Sequence, residues 1–291
     1  MCDDLTNRDV EEYLRRSGLT RREFNKRGAG AALAMTLPVA AEAVEVVGRD
    51  VTITTPDGEA DCYFVHPADG AAAAVMLWPS IVGIRETFRA MGRRLAESGY
   101  AVLVINPYYR TQQGPVIPED KGFRDPGIRD LLMPFARTLS PATCVTDGRA
   151  FVDWLGQQEA VDTSRKAASI GYCMTGSYCM RLAAAMPERM GAGCSFHGGG
   201  LVTDADDSPH RLIPDMKAGF LIAIAENDDE RSPDDKVVLR EAFDSAGVDA
   251  EIEVYAGALH GWCVPDSDVY NEAQAERAWS RMLALFERRL S

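Results

Sequence analysis

The sequence has little histidine, four residues in 291, and its seven cysteines form no Cys-x-x-Cys pair. A zinc-finger or ribbon framework is thereby excluded, and no metal or other cofactor is expected. Positive charge is also short: 31 Lys and Arg face 44 Asp and Glu, a formal net charge of −13. Nucleic acid and anionic membrane surfaces attract cations, so neither is expected as the main partner. No uncharged apolar run reaches the ~18 residues of a spanning helix. There is no internal repeat and no low-complexity tract. With 46% hydrophobic and 26% charged residues, the disordered, collagen-like and disulfide-dense classes fall away as well. What is left is an acidic, core-forming chain, a class in which enzymes are common.

The acidity is unevenly spread. Residues 1–43 hold seven basic and seven acidic residues, so the whole excess belongs to 44–291, with 24 basic and 37 acidic residues. Arg21-Arg22, Phe24 and Lys26 precede a weakly apolar stretch over 28–41, which ends in Ala41-Glu42-Ala43. That order resembles a twin-arginine export signal, with a core too short and too mild to span a bilayer. The alternative is an amphipathic helix over 10–27 leading into a linker. Export or a periplasmic location is expected, against a cytoplasmic one, which scattered unpaired cysteines favour. Gly28-Ala29-Gly30 is no dinucleotide fingerprint, because no strand precedes it. Residues 44–291 fit a single domain.

Within that body the pattern begins as β and then alternates. Residues 44–47, 51–55 and 61–66 read as strands around the turn Pro56-Asp57-Gly58, an antiparallel edge. Continuous apolar runs at 72–78 and 100–105 suit strands buried on both faces. Further strands are expected at 167–172, 193–196, 220–225 and 251–255, with helices at 86–98, 146–157, 175–186, 234–246 and the C-terminus. Strands alternating with helices imply right-handed crossovers and a mostly parallel sheet covered on both faces. The segment 107–143, rich in Pro, Gly and charge with one helical stretch, has the length of a lid or substrate loop.

Ligands bind at the C-terminal ends of the strands in such sheets. After 167–170 the chain reads Gly171-Tyr172-Cys173-Met174-Thr175-Gly176, a strand–elbow–helix with Cys in the slot of the Gly-x-Ser-x-Gly pattern. At a helix start a thiolate is favoured by the dipole and free N–H groups; a small buried hydrophobe is the plainer role for Cys173. Two further strand ends carry Asp228, with Asp229 as its rival, and His260 in a Gly-rich loop. The order Cys173, Asp228, His260 is the nucleophile–acid–base order of the α/β-hydrolase fold. His260 would take the thiol proton and Asp228 would fix its tautomer.

On these residues, together with Pro79-Ser80-Ile81-Val82-Gly83-Ile84, Asn106-Pro107-Tyr108-Tyr109-Arg110 and Tyr255-Ala256-Gly257-Ala258-Leu259-His260-Gly261-Trp262, the chain over about 44–291 resembles the dienelactone hydrolase family. The resemblance implies an α/β-hydrolase fold and hydrolysis of small esters or lactones by a Cys–His–Asp triad through a thioester acyl-enzyme. It selects Asp228 over Asp229 and implies an oxyanion site at the N–H groups of Ile81 and Met174. The chain departs from the family in two places. Ser80 stands where a Glu contacts the resting Cys, and Val264 stands where a substrate-carboxylate Arg follows the His. Basic candidates for that task are Arg85, Arg110, Lys121, Arg124 and Arg129, each otherwise a solvated charge. Ser80, Tyr172, His197 and Trp262 are candidate pocket residues. A binding or redox-responsive protein on the same scaffold is the alternative reading, and a serine esterase using Ser195 a weaker third. The expected partner is a small ester or lactone, with the chain a monomer or dimer.

Overall fold

The computed structural model describes residues 43–291. The expected export signal, apart from Ala43, lies outside the described residues. Val46–Thr55 (β1) and Gly58–Pro67 (β2) form a hairpin, longer than the separate short strands expected, with every residue of β1 paired. The chain then alternates through Ala74–Trp78 (β3), Glu86–Glu97 (α1), Ala101–Ile105 (β4), Ile128–Ala136 (α2), Pro141–Leu155 (α3) and Ala167–Tyr172 (β5). Tyr178–Ala185 (α4), Met190–Phe196 (β6), Gly219–Ala225 (β7), Glu226–Arg231 (α5), Asp235–Ala246 (α6), Ala250–Tyr255 (β8) and Glu272–Arg289 (α7) complete it.

One eight-stranded sheet results, in the order β1-β2-β4-β3-β5-β6-β7-β8. β1, β2 and β4 pair antiparallel and the remaining pairs are parallel. This is the α/β-hydrolase architecture that the alternation predicts. The β3, β4 and β5 runs are buried throughout, which is why they are continuously apolar. One face of the sheet is covered by α1 and α7 through Phe88, Met91, Leu95, Trp279, Met282 and Phe286. The other is covered by α3, α4 and α6 through Phe151, Leu155, Leu182, Leu239 and Phe243. No helix among the described residues is long and apolar enough to cross a membrane.

Two helix starts differ from the sequence reading for local reasons. α3 begins at Pro141 rather than 146 because Ser140 and Thr143 form a reciprocal cap, Thr143 N donating to Ser140 Oγ at 3.1 Å and Ser140 N to Thr143 Oγ1 at 2.9 Å. The helix expected from 175 is a 3₁₀ turn, Cys173–Thr175, followed by α4 from Tyr178. Between β4 and α3, the long connection contributes Tyr108, Val116, Ile117, Ile128 and Leu132 to a small cluster of its own with Ile81. It is a packed wall beside the strand ends, not a loose tether.

Parallel register sets the site. Trp78 pairs with Gly171, Tyr172 with Phe196, Phe196 with Ala223, and Ala225 with Tyr255. The loops leaving β3, β5, β6, β7 and β8 therefore emerge side by side, where open α/β sheets bind ligands.

Candidate active site

Cys173 is the first residue beyond β5 and has φ 57°, a left-handed backbone conformation uncommon outside glycine. The turn is held from below by tight packing: a Cβ on Gly176 would lie 2.4 Å from the Gly198 Cα. Thr175, which replaces the usual second Gly of the elbow pattern, earns its place by tying loops together. Its Oγ1 accepts from Tyr172 N at 3.0 Å and lies 3.0 Å from the Trp78, Pro79 and Tyr172 carbonyl oxygens, which share its one proton. The elbow is thus joined to the end of β3.

His260 Nε2 lies 3.1 Å from Cys173 Sγ, and His260 Nδ1 lies 2.7 Å from Asp228 Oδ2. The backbone N–H of His260 donates to Asn227 Oδ1 at 2.8 Å, so the loop that carries the imidazole is pinned to the turn that carries the acid. Asp228 sits on the short helix α5 rather than on an open turn, and Arg231 Nη1 donates to its other oxygen at 3.2 Å. Asp229 faces away and pairs with Lys236 at 2.6 Å. The two neighbouring carboxylates thus have different partners, with Asp228 on His260 and Asp229 on Lys236.

Ile81 and Met174 both line a cavity of about 340 Å³ with Cys173, Met133, Ala136 and Leu139. Tyr108, fully buried, donates its hydroxyl to the Ile81 carbonyl at 2.8 Å, and the Tyr108 hydroxyl oxygen also lies 3.5 Å from Met174 Sδ. A smaller cavity of about 100 Å³ is lined by Ser80, Ile81, Arg85, Arg124, Cys173, His197, His260 and Asp266, among others.

The remaining candidates divide. Ser80, Arg85, Arg124 and His197 line that smaller cavity. Arg85 does so as part of a paired structure: it is 5% exposed, forms an ion pair with Asp266 and donates to the Lys121 carbonyl at 2.7 Å. Its charge is therefore already matched by a carboxylate. Arg110 lines neither cavity. It bonds Asp147 at 2.8 and 2.6 Å and Asp57 at 3.0 Å, a network that also holds Tyr109. Tyr172 and Trp262 are core residues: Tyr172 stacks on Phe196 at 5.0 Å and Trp262 on Tyr255 at 4.5 Å, and neither borders the sulfur's cavities. Both rings belong to the core on the α1 and α7 side of the sheet, Tyr172 at 1% exposure and Trp262 at 0%. Ser195 is fully buried inside β6, with Gly176 and Gly198 packed onto its hydroxyl, and it reaches neither cavity.

His197 is the first residue beyond β6, has φ 40° and is 2% exposed. Its ring meets that of His260 edge-on, with centroids 4.6 Å apart. Burial first, and then the neighbouring His260, push its pKa well below the usual imidazole value, so it stays neutral. The thiols of Cys144, Cys179, Cys194 and Cys263 are raised by burial, and all are free.

Comparison with known proteins bears on the family and the fold. The sequence profile of the dienelactone hydrolase family matches residues 60–290. The chain belongs to the dienelactone hydrolase family. As a family member it is a hydrolase, and a small-molecule substrate follows from that membership. It is 26% identical over 241 residues to a Salmonella typhi protein provisionally named a carboxymethylenebutenolidase, covering 81% of this chain and 85% of that one. A Klebsiella pneumoniae structure provisionally titled a dienelactone hydrolase superposes with a TM-score of 0.72 at 24% identity, over 84% of this chain and 99% of that one. A dienelactone hydrolase-like promiscuous phosphotriesterase from metagenomic libraries gives 0.68 at 21% identity, with the same coverage. These structural likenesses are likenesses of fold.

Proposed function

We propose that this family member hydrolyses small carboxylic esters or lactones, with Cys173 as nucleophile, His260 as base and Asp228 as its orienting acid. His260 Nε2 takes the thiol proton as sulfur attacks the acyl carbon. The tetrahedral oxyanion is met by the N–H groups of Ile81 and Met174, where charge appears only in the transition state. The C–O bond then breaks, His260 returns its proton to the leaving alkoxide, and a thioester remains on Cys173. Water, deprotonated by His260, attacks the thioester, and the acid leaves as the thiol is restored. A lactone follows the same steps, with its alcohol still attached to the acyl group.

The observation that carries this reading is the unbroken contact from Sγ to Nε2 and from Nδ1 to Oδ2, at 3.1 and 2.7 Å, with the sulfur on a strained elbow. Direct contact between sulfur and imidazole also removes any need for the Glu that Ser80 replaces. Because Asp266 already matches Arg85, Arg85 itself calls for no carboxylate on the substrate. The larger cavity has an apolar stretch of wall at Met133, Ala136 and Leu139, suited to an apolar acyl or alcohol group, with Ser177 and Arg181 also on its lining.

A panel of small esters and lactones, assayed with wild type and Cys173→Ala, tests the proposal. Turnover that vanishes in the variant is expected. Wild-type rates in Cys173→Ala would refute it, and no turnover with slow, pH-independent alkylation of Cys173 would favour a binding protein. For location we keep the export reading of residues 1–43; a reporter fused behind them should appear in the periplasm, and its retention in the cytoplasm would end that reading.

A further inference from the structure

Three soft donor groups converge at one point, and hydrolysis as proposed employs two of them. Cys173, His197 and His260 are all buried, and one donor atom from each lies within 4.8 Å of the others. His197 is the unused member: at 2% exposure, neither of its ring nitrogens has a hydrogen-bond partner. A buried polar group without a partner is costly and calls for a ligand that supplies the missing bond. Its ring borders the same cavity as Cys173 and His260, so such a ligand has a way in.

We propose that Cys173, His197 and His260 form an inhibitory binding site for a soft divalent transition ion of the zinc class. One thiolate and two imidazoles are a donor set that suits such ions and not Mg²⁺ or Ca²⁺. Tetrahedral zinc, with bonds of ~2.3 Å to sulfur and ~2.0–2.1 Å to nitrogen, holds ligand atoms ~3.4–3.6 Å apart. Cys173 Sγ and His260 Nε2, now 3.1 Å apart, need open only slightly. From the 4.8 Å limit the third ligand needs to close by at most ~1.4 Å. His260 is already oriented for the task, because its Nδ1 contact with Asp228 at 2.7 Å is the carboxylate–histidine pairing that backs zinc ligands. All three residues line the smaller cavity, which leaves room for water as the fourth ligand. Scattered cysteines and histidines give no sign of this set in sequence, since it is assembled from three strand ends.

Binding involves no redox change. The ion takes the place of the Cys173 thiol proton, and the proton goes to solvent because the metal occupies the His260 Nε2 lone pair. Nucleophile and base are then masked together, so the ion and an acyl donor exclude each other. The site rests on the donor geometry and not on ester hydrolysis: if the chain turns over no ester, metal binding is still expected.

The test is titration of the full chain with Co²⁺ as a spectroscopic probe and with Zn²⁺ by calorimetry. The expected result is one equivalent of Co²⁺ giving thiolate charge-transfer absorption and intense tetrahedral bands, displaced by Zn²⁺ and reversed by EDTA. Ester turnover, where present, falls in proportion to occupancy. His197→Asn suits the positive φ of 40° and His197→Phe keeps the ring without a lone pair. Each should weaken binding at least about tenfold, and Asp228→Asn by about 10–100-fold. Folded His197 variants that bind with wild-type affinity would overturn the proposal, as would a Co²⁺ spectrum without the thiolate band. If both variants fail to fold, X-ray absorption of the zinc-loaded wild type decides: one sulfur and two imidazole nitrogens are expected, and any other protein shell overturns it.

Discussion

Tyr108→Phe removes a single oxygen, and its consequence can be worked from the structure. The Tyr108 ring, 5.7 Å from Phe135, keeps its packing, but the Ile81 carbonyl loses the donor that stands 2.8 Å away. Ile81 is 6% exposed, so a buried acceptor is left unpaired, at a cost of about 1–3 kcal/mol in stability. The same peptide segment carries the N–H proposed to meet the oxyanion. Deleting such a donor outright lowers kcat by about 10²–10³. A loop loosened rather than removed should lose less, about 10–100-fold, equivalent to ~1.4–2.7 kcal/mol at the barrier. KM should hardly change, because the contact strengthens only in the transition state. Steady-state hydrolysis of p-nitrophenyl acetate, beside urea unfolding of the same preparations, gives both quantities. A variant that loses stability yet keeps kcat within twofold would refute the link between Tyr108, Ile81 and the oxyanion.

Arg110→Ala strands Asp147, whose side chain is 4% exposed, and should cost about 3 kcal/mol in unfolding free energy; adding Asp147→Asn should recover part of that loss, and a double-mutant cycle showing strict additivity would contradict the pairing. Gly176→Ala should destabilise by about 3 kcal/mol and depress kcat, because its Cβ would meet the Gly198 Cα at 2.4 Å; a melting curve and turnover equal to wild type would show that the elbow is not so tightly held. Burial pushes the Cys179 thiol up to about 12. The unfolded thiol therefore loses its proton above ~8.5 while the folded one retains it, and stability falls by about 1.4 kcal/mol per pH unit over that window. Cys179→Ala should show an alkaline stability slope shallower by that amount, and parallel slopes would contradict the assignment.

The sheet was legible because its strands are buried on both faces and therefore written as unbroken apolar runs, β3 and β4 above all. Cys173, Asp228 and His260 could be chosen because each follows a strand within a few residues, so local chain position already implied proximity. What sequence did not reveal came from contacts between distant loops. Tyr108 was visible only as part of a motif, and its reach to Ile81 depends on the 107–139 wall folding back on itself. Asn227 sits beside Asp228, yet its hold on the His260 backbone required β7 and β8 to lie side by side. Arg110 looked available to substrate because Asp57 and Asp147, far off in sequence, are what neutralise it. Tyr172 and Trp262 stand next to site residues along the chain, but their rings belong to the core on the α1 and α7 side of the sheet. Ser140 and Thr143, which start α3 five residues early, carry a cap signal that hydrophobic periodicity alone overlooks.

The central claim is a covalent acyl intermediate on Cys173. Rapid quenching of the enzyme with p-nitrophenyl acetate, followed by peptide mass spectrometry, tests it directly, with Cys173→Ala run in parallel. An acetyl thioester on the peptide containing Cys173, formed with a burst of nitrophenolate and absent from the variant, is expected. Acetylation at Ser195 or elsewhere, or undiminished turnover in Cys173→Ala, would contradict it.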